Sequence, residues 1–261
     1  MFKCLSTSAT GMEAQETRLD VTAHNIANVS TAGYKKERAE FQDLMYQQMR
    51  AAGSPTGATT RAPVGLEVGS GVRVVATMRM HSEGDLQQTG NPLDVAIEGN
   101  GFYQITLPNG TTAYTRDGSF KLSSEGKLVT ADGFPLANDI TIPPDAQAVT
   151  IGVDGTVSAQ LPSDSAPVEL GKMQLANFAN PAGLAAQGRN LYRETASSGS
   201  PVVADPGQDG TGTLSQGTLE LSNVKVVEEM IDLIAGQRAY EVNSRVIKAA
   251  DEMLGQTANL K

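Results

Sequence analysis

Proline and glycine are distributed very unevenly along this chain of 261 residues. All 12 prolines and 23 of the 27 glycines lie between Ala51 and Glu220. Because both residues interrupt helices and supply turns, long helices are possible only at the two ends of the chain. The sequence therefore predicts an α+β fold, in which long N- and C-terminal helices enclose a β-rich domain of successive hairpins.

Both ends carry apolar residues spaced by seven, which is typical of helices that pack along one face. The N-terminal row is Leu5, Met12, Leu19 and Ile26, and that helix should stop between Asn28 and Gly33. The C-terminal row is Val226, Leu233, Tyr240, Ile247 and Leu254, on a helix from about Asn223 to near Thr257. Ser222 or Asn223 is its expected N-cap. Its apolar face is widened by Val227, Met230, Ile231, Ile234, Val242, Val246 and Met253. The pattern predicts a coiled-coil-like layer, with an ordinary intramolecular helix pair as the alternative.

The segment after the first helix is expected to connect the helical end to the β-rich middle. A second helix is predicted from about Glu37 to Arg50, burying Phe41, Leu44 and Met45. Residues 51–63 contain few large apolar side chains and are predicted to form a flexible loop. Residues 64–78 alternate apolar side chains around two glycines and are predicted to be extended.

Turn signals recur at short intervals in the middle of the chain, between runs of β-prone residues. They are Asn109-Gly110, Asp117-Gly118, Glu125-Gly126, Asp132-Gly133 and Asp154-Gly155. A further strand is predicted from Val168 to Phe178. The predicted organisation is an N-terminal helix in 1–33, a connecting segment in 34–76, a β-rich domain in 77–215 and a C-terminal helix in 216–261.

The charge balance and the reactive side chains argue against nucleic-acid binding and catalysis. The formal net charge is −9, and the residues between 51 and 220 account for −8 of it, so no basic surface is expected for nucleic acid. Cys4 is the one cysteine, and His24 and His81 are not spaced as metal ligands. No nucleophile motif or phosphate loop occurs, and none of the acidic residues is singled out as a catalytic pair. The sequence predicts no catalytic residue, metal or cofactor.

Three groups of residues resemble the flagellar rod and hook proteins of bacteria. Residues 10–35 (TGMEAQETRLDVTAHNIANVSTAGYK) resemble the N-terminal signature of that family. Residues 216–224 (QGTLELSNV), 227–231 (VEEMI) and 237–243 (QRAYEVN) are similar to its C-terminal signature. Residues 91–97, 101–103 and 114–120 resemble its shared β domain. The motif positions carried over to this chain are Asn25, Asn28, Val29, Asn223, Val224, Gln237, Arg238 and Tyr240.

The resemblance implies a structural subunit that stacks with copies of itself into a hollow helical tube. Terminal axial helices would line the tube, and the β domain would form its outer layer. Residues 61–73 (RAPVGLEVGSGVR) look most like the distal-rod members, which act as a drive shaft from motor to hook. The implied partners are copies of itself, proximal rod proteins, the hook protein, the peptidoglycan and outer-membrane ring proteins, and the flagellar type III export apparatus. The implied location is the basal body, from the periplasm to the outer membrane, reached without a cleavable signal peptide.

Alternatives from two classes stay open at this point. One is a proximal-rod or hook-like axial protein, and the other is a secreted glycan-binding module or wall hydrolase. Under the rod interpretation, the two rows spaced by seven are polymerisation seams that become buried on assembly. The stretch from Tyr34 to Val75 is then expected to bridge the inner and outer layers and to pack against neighbouring subunits.

Overall fold

A computed structural model describes residues 2–55, 61–138, 140–162 and 166–259. Helix α1 spans Phe2–Ala27 and helix α2 spans Val226–Asn259, with β structure between them. The predicted α+β class, with helical ends and a β-rich middle, is confirmed. The chain divides into two compact units. The helical unit contains residues 1–27, 37–78 and 225–261, and the β unit contains residues 28–36 and 79–224.

In the helical unit, α1 and α2 pack against each other in opposite directions. Arg18 of α1 forms an ion pair with Asp232 of α2 at 2.7 Å, whereas Gly11, which precedes Arg18 by two helical turns, faces Asn243, which lies further along α2. The helices approach closely where glycine removes a side chain. A Cβ placed on Gly236 would lie 3.0 Å from Leu19 Cδ2, and one on Gly11 would lie 3.0 Å from Asn243 Nδ2. An intramolecular helix pair is therefore present, while a coiled-coil-like layer stays a prediction.

The rest of the helical unit consists of strands. Strand β1 (Glu37–Asp43) pairs with β4 (Val72–Arg79), and β2 (Gln47–Arg50) pairs antiparallel with β3 (Leu66–Val68). The predicted helix from Glu37 to Arg50 is therefore wrong. Its short apolar run fits the repeat of a helix as well as that of a strand, and the segment forms strands because it pairs with β3 and β4. The predicted loop at 51–63 lies partly outside the described residues, since 56–60 are not among them.

The β unit is built from short strands and one 3-10 turn at Pro181–Gly183. Its strands are β5 Leu86–Gln88, β6 Val95–Glu98, β7 Phe102–Thr106, β8 Thr112–Thr115, β9 Lys121–Leu122, β10 Leu128–Val129, β11 Ala148–Ile151, β12 Thr156–Gln160, β13 Val168–Lys172, β14 Leu175–Asn177, β15 Ala185–Gly188, β16 Leu191–Arg193, β17 Val202–Ala204, β18 Thr213–Gln216 and β19 Thr218–Glu220.

The largest sheet does not follow the order of the strands along the chain. Its order is β15-β16-β8-β7-β14-β17, and a second sheet has the order β11-β12-β13. Two further pairs, β6 with β18 and β5 with β19, join the start of the β unit to its end. The unit is thus closed by strands that are more than a hundred residues apart, in addition to local hairpins.

One apolar core fills the β unit. Its largest fully buried side chains include Tyr103, Ile97, Ile105 and Leu128. A smaller cluster, made of Phe102, Tyr114, Ala176, Phe178, Leu184 and Tyr192, holds rings in edge-to-face contact. Removal of these apolar side chains from water stabilises the short strands of the β unit.

The glycine turn signals predicted most of the local connections correctly. Gly110, Gly126, Gly133 and Gly155 all adopt positive φ in turns between paired segments. Gly118 differs, because it is buried and lies against Val95. Val95 N donates a hydrogen bond to the carbonyl oxygen of Gly118 at 3.1 Å, and the carbonyl oxygen of Val95 leaves no room for a Cβ on Gly118. The predicted strand from Val168 to Phe178 is two strands, β13 and β14. Helix α2 begins at Val226, three residues after the predicted start.

Candidate assembly site

The first third of α2 presents a continuous apolar surface to its surroundings. Val226, Val227, Met230, Ile231 and Ile234 are all exposed, with Val227 reaching 70%. Helical spacing places most of these side chains on the side opposite Glu229 and Gly236, which are buried in the helical unit. A helix that is apolar on both sides is normally covered on both. We call these five residues the outward stripe; Val242, Val246 and Met253 extend it toward the C-terminus and are also exposed.

Most of the predicted seam residues lie outside the outward stripe, and Val226 belongs to both sets. Leu5, Met12, Leu19 and Ile26 are half-buried on α1, and so are Leu233, Ile247 and Leu254 on α2. Val226 and Tyr240 are exposed. The structure thus places most of the rows spaced by seven beside the α1–α2 contact. The residues that were expected only to widen the α2 face are exposed, together with Val226 and Tyr240 from the predicted row.

The strand segment of the helical unit is also rich in exposed apolar side chains. Met45, Tyr46, Met49, Val64 and Leu66 are exposed, and Met45 reaches 87%. The segment is fastened to α1 where Gly71 packs on Thr10, whose hydroxyl accepts a hydrogen bond from Val72 N at 3.4 Å. Two-stranded ribbons are marginal by themselves, so these side chains favour a covering partner.

The side-chain amide of Asn25, one of the motif residues, bonds to both backbone groups of Glu37, as the backbone of a neighbouring strand would. Its Nδ2 donates to the carbonyl oxygen of Glu37 at 2.8 Å, and its Oδ1 accepts from Glu37 N at 2.9 Å. Nδ2 also donates to Glu229 Oε2 at 3.2 Å. Both Asn25 and Glu229 are buried. An amide is the side-chain group that offers a donor and an acceptor together, which accounts for asparagine at this position.

Asn223 plays the corresponding part in the β unit, and not the expected part of an N-cap. Its Oδ1 accepts from Lys36 N at 2.7 Å, and its Nδ2 donates to the carbonyl oxygens of Met80 and Ser82. The adjacent Val224 is buried, whereas Asn28 and Val29 are half-buried in the turn after α1. Gln237 and Arg238 are exposed on α2. Asn25 and Asn223 therefore hold separate backbone segments together through their side-chain amides.

A buried ion triad lies beside Asn223 and was missed by the sequence analysis. Glu220 Oε1 is 2.6 Å from Lys35 Nζ, and Glu220 Oε2 is 2.8 Å from Arg116 Nε. All three side chains are almost completely buried. Burial alone would raise the pKa of Glu220, but Arg116 and Lys35 outweigh it and hold that pKa below its ordinary value. Burial lowers the pKa of Lys35, and Glu220 offsets only part of that effect.

His81 is a further titratable group of the β unit, and its side chain is half-buried. Its ring meets those of Phe102 and Tyr192 edge-to-face. Burial, together with the positive charges of Lys35, Arg116 and Arg79, lowers the pKa of His81 to about 4. The side chain is therefore neutral near pH 7. Among the residues that the structure describes, no group of three or more His, Cys, Asp or Glu side chains could hold a metal ion.

Neither helix, over its described length, combines the length and apolar character needed to cross a membrane. The outward stripe and the exposed strand segment are the surfaces of the helical unit on which large apolar side chains are exposed. Both are surfaces suited to contact with other protein chains, because they combine large apolar area with a folded support.

Comparison with known proteins confirms the resemblance drawn from the motifs. The family model "Flagella basal body rod protein" matches residues 5–35, "Flagellar hook protein FlgE/F/G D1 domain" matches 96–159, and "Flagellar basal body rod FlgEFG protein C-terminal" matches 215–260. The flagellar basal-body rod protein FlgG of Borreliella burgdorferi is 48% identical over 100% of this chain and 99% of its own. Those of Caulobacter vibrioides and Bacillus subtilis are 45% and 41% identical, each over 100% of both chains. The chain therefore belongs to the FlgG family of flagellar basal-body rod proteins.

Proposed function

We propose that this protein is a structural subunit of the flagellar distal rod, not an enzyme, and that copies of it assemble into a hollow helical drive shaft that transmits torque from motor to hook. The observation that carries the proposal is the outward stripe on α2, in a chain that matches FlgG proteins over its whole length. A heterologous contact between such surfaces generates a helical filament when the rotation between subunits does not close into a ring.

The stripe supplies part of the energy for self-association in this proposal. Burial of each large apolar side chain contributes roughly 1.5–3 kcal/mol. The five side chains are 40–70% exposed, so burial of the stripe in a contact with a neighbour gains only part of that value for each, and this gain offsets part of the cost of bringing folded subunits together. The half-buried rows spaced by seven, including Leu233 and Ile247, support the stripe by holding α2 on α1.

The exposed strand segment is the second proposed contact. We place it between neighbouring subunits, where Met45, Tyr46 and Met49 would be covered and would stiffen a straight rod. Deletion within residues 51–63 should then change rod bending or rod length. Rods of unchanged length and straightness in such a strain would contradict this part of the proposal.

The proposed partners are other copies of this chain, proximal rod proteins, the hook protein, the peptidoglycan and outer-membrane ring proteins, and the type III export apparatus. The basal body is the location of the family, and a path from the periplasm to the outer membrane is part of the proposal. The excess of negative charge between residues 51 and 220 would keep the β units apart and solvated until the helical units meet.

The stripe is tested by Ile231→Asp, since Ile231 is 62% exposed and the substitution leaves the α1–α2 contact intact. We expect the variant to fold, as judged by circular dichroism, and to abolish rod growth and motility in a strain lacking the wild-type gene. Ile231→Leu is the matched control and should restore motility. Substitutions at Leu233 or Ile247 are less informative, because they also weaken the helix pair. Normal hooks on cells that carry Ile231→Asp would contradict the proposal.

Electron cryotomography of basal bodies from a strain that lacks this gene distinguishes a distal-rod protein from a proximal-rod protein. A short proximal rod without distal rod, outer rings or hook is the expected result. Loss of every rod structure beyond the inner-membrane ring would favour a proximal-rod protein instead. A complete rod and hook would overturn the rod assignment altogether.

A further inference from the structure

The buried triad joins three distant parts of the chain at one carboxylate. Lys35 ends the segment matched by the N-terminal family model, Arg116 lies in the segment matched by the D1 model, and Glu220 lies in the segment matched by the C-terminal model. Glu220 accepts hydrogen bonds from Lys35 Nζ, from Arg116 Nε and from Gly84 N, the last at 3.0 Å. Nothing in the established family assignment gives these residues a role.

The segment that follows α1, residues 28–36, reaches the rest of the β unit largely through this region. Gly33 N donates to the backbone carbonyl of Glu220 at 2.8 Å, and Lys35 Nζ donates to the carbonyl of Ser82 at 2.7 Å. Gly33 adopts φ +67, and a Cβ there would lie 2.7 Å from the carbonyl carbon of Arg116. Asn190 Nδ2 adds a bond to the carbonyl of Ala32 at 3.2 Å. Residue 220 thus contacts the segment by both its backbone and its side chain.

The charges make Glu220 indispensable for this docking. Lys35 and Arg116 are both cations, and Lys35 is 1% exposed. A buried cation beside another cation is strongly unfavourable unless a carboxylate lies between them. Arg116 has alternatives, since its guanidinium also donates to the carbonyls of Gly101, Gly99 and Ile97. Lys35 Nζ donates to one carboxylate, that of Glu220, and to one carbonyl, that of Ser82, so its burial as a cation depends mainly on Glu220.

We propose that Glu220 is a latch that makes the docking of residues 28–36 depend on the pairing of β19 with β5, whereas that pairing does not depend on the docking. The N-terminal segment, with its lysine, is then not stably docked until the strand that carries Glu220, 185 positions later, has closed the β unit. The inference concerns the order of folding within the subunit. It goes beyond the proposed function and does not depend on it.

The triad carries a net positive charge, and this predicts different results for its members. Lys35→Met leaves a balanced Arg116–Glu220 pair, so only residues 28–36 should be released. Glu220→Gln leaves two buried cations, so residues 28–36, β5 and β19 should be released together. In both variants β12, which lies elsewhere in the β unit, should keep its protection.

Hydrogen exchange of the full-length protein, read by mass spectrometry, tests the latch. In Lys35→Met, peptides covering 28–36 should exchange at least about tenfold faster, while those covering 84–88 and 217–224 stay near the wild-type rate. In Glu220→Gln, all three regions should accelerate by at least about tenfold. Lys121→Met and Glu125→Gln, at exposed positions of the same unit, are the matched controls and should change none of them.

Independent docking would overturn the proposal. That result is faster exchange at 217–224 in Glu220→Gln with residues 28–36 still protected at the wild-type rate. If Glu220→Gln does not fold, Glu220→Asp replaces it, because the charge is kept while the shorter side chain cannot hold Lys35 and Arg116 at their present distances. The same joint acceleration supports the latch, and acceleration of one region alone contradicts it.

Discussion

The two units of this protein treat their apolar and polar groups in opposite ways. In the β unit most of the large apolar side chains fill one core, although some such as Val153 and Val202 are exposed, and three charged side chains are buried with partners at 2.6–2.8 Å. In the helical unit α1 has its apolar residues half-buried, whereas α2 leaves the outward stripe in solvent. The β unit thus closes its core within one chain, and the helical unit exposes a row of apolar side chains along one helix.

For the assembly proposed above, the difference separates the two requirements of a polymer subunit. One part must keep its shape in every copy, and the other must hold binding energy in reserve for a neighbour. A chain that buried all its apolar surface in both parts would stay a monomer. A chain that exposed apolar surface in both parts would aggregate without a defined contact between subunits. The following predictions probe that contrast, starting with the tightest position of the closed unit.

Gly118→Ala should cause the largest loss of stability. A Cβ at Gly118 would overlap the backbone carbonyl of Val95, and neither backbone can move without disturbing the core. We expect the free energy of unfolding of the β unit to fall by more than about 3 kcal/mol, measured by urea denaturation. Gly110→Ala is the control. That residue has φ +78 but no atom within 4 Å of the added Cβ, so about 1 kcal/mol of backbone strain is expected. Equal losses in the two variants would contradict a tightly closed β unit.

Acid should weaken the β unit through His81 before it affects the triad. The pKa of His81 is about 4 in the folded chain against an ordinary 6.5, so the unfolded state binds more protons between these values. Stability contributed by neutral His81 is present above pH 6.5 and is lost as the pH falls toward 4, by about 3 kcal/mol in total.

Urea denaturation across this range should show a shallower loss in His81→Phe, which keeps an aromatic ring against Phe102 and Tyr192. An identical pH slope in the variant and the wild-type protein would exclude His81 as the cause. Glu220 acts in a lower window, because its pKa lies below the ordinary 4.5 and its stabilisation is lost only as the pH falls through that lowered value.

The smallest effect should come from the exposed end of α2. Gly255→Ala adds a methyl group that meets nothing within 4 Å, and it should stabilise the helix by about 1 kcal/mol. Gly236→Ala gains the same helix propensity but brings its Cβ to 3.0 Å from Leu19 Cδ2, so its net gain should be smaller. Thermal unfolding followed by circular dichroism measures both. Equal gains would show that the α1–α2 contact is looser than its geometry indicates.

Local patterns in the sequence were sufficient for the helices and for most turns. Apolar residues spaced by seven indicated both helices, and a polar residue followed by glycine marked the turns at Gly110, Gly126, Gly133 and Gly155. Periodicity could not settle the run from Glu37 to Arg50, because its apolar residues fit a helix as well as a strand. The deciding contacts, such as Leu44 N donating to the carbonyl of Gly71, come from residues far along the chain.

The functional surfaces were harder to predict for a related reason. The spacing showed that α2 is broadly apolar, but not which of its sides α1 would cover. Asn25 and Asn223 were identified by resemblance, whereas their hydrogen bonds depend on which backbone lies opposite. The triad gave a faint signal, namely charged residues inside the motif segments at Lys35 and Glu220, but charge alone does not reveal burial.

The outward stripe has a thermodynamic consequence for any assembly built on it. Removal of apolar surface from water is driven by entropy near room temperature, and it weakens as the solution is cooled. Hydrogen bonds and ion pairs of the kind that close the β unit do not share that dependence. A filament joined mainly through α2 should therefore be cold-labile, shedding folded subunits in the cold and regrowing from them on warming.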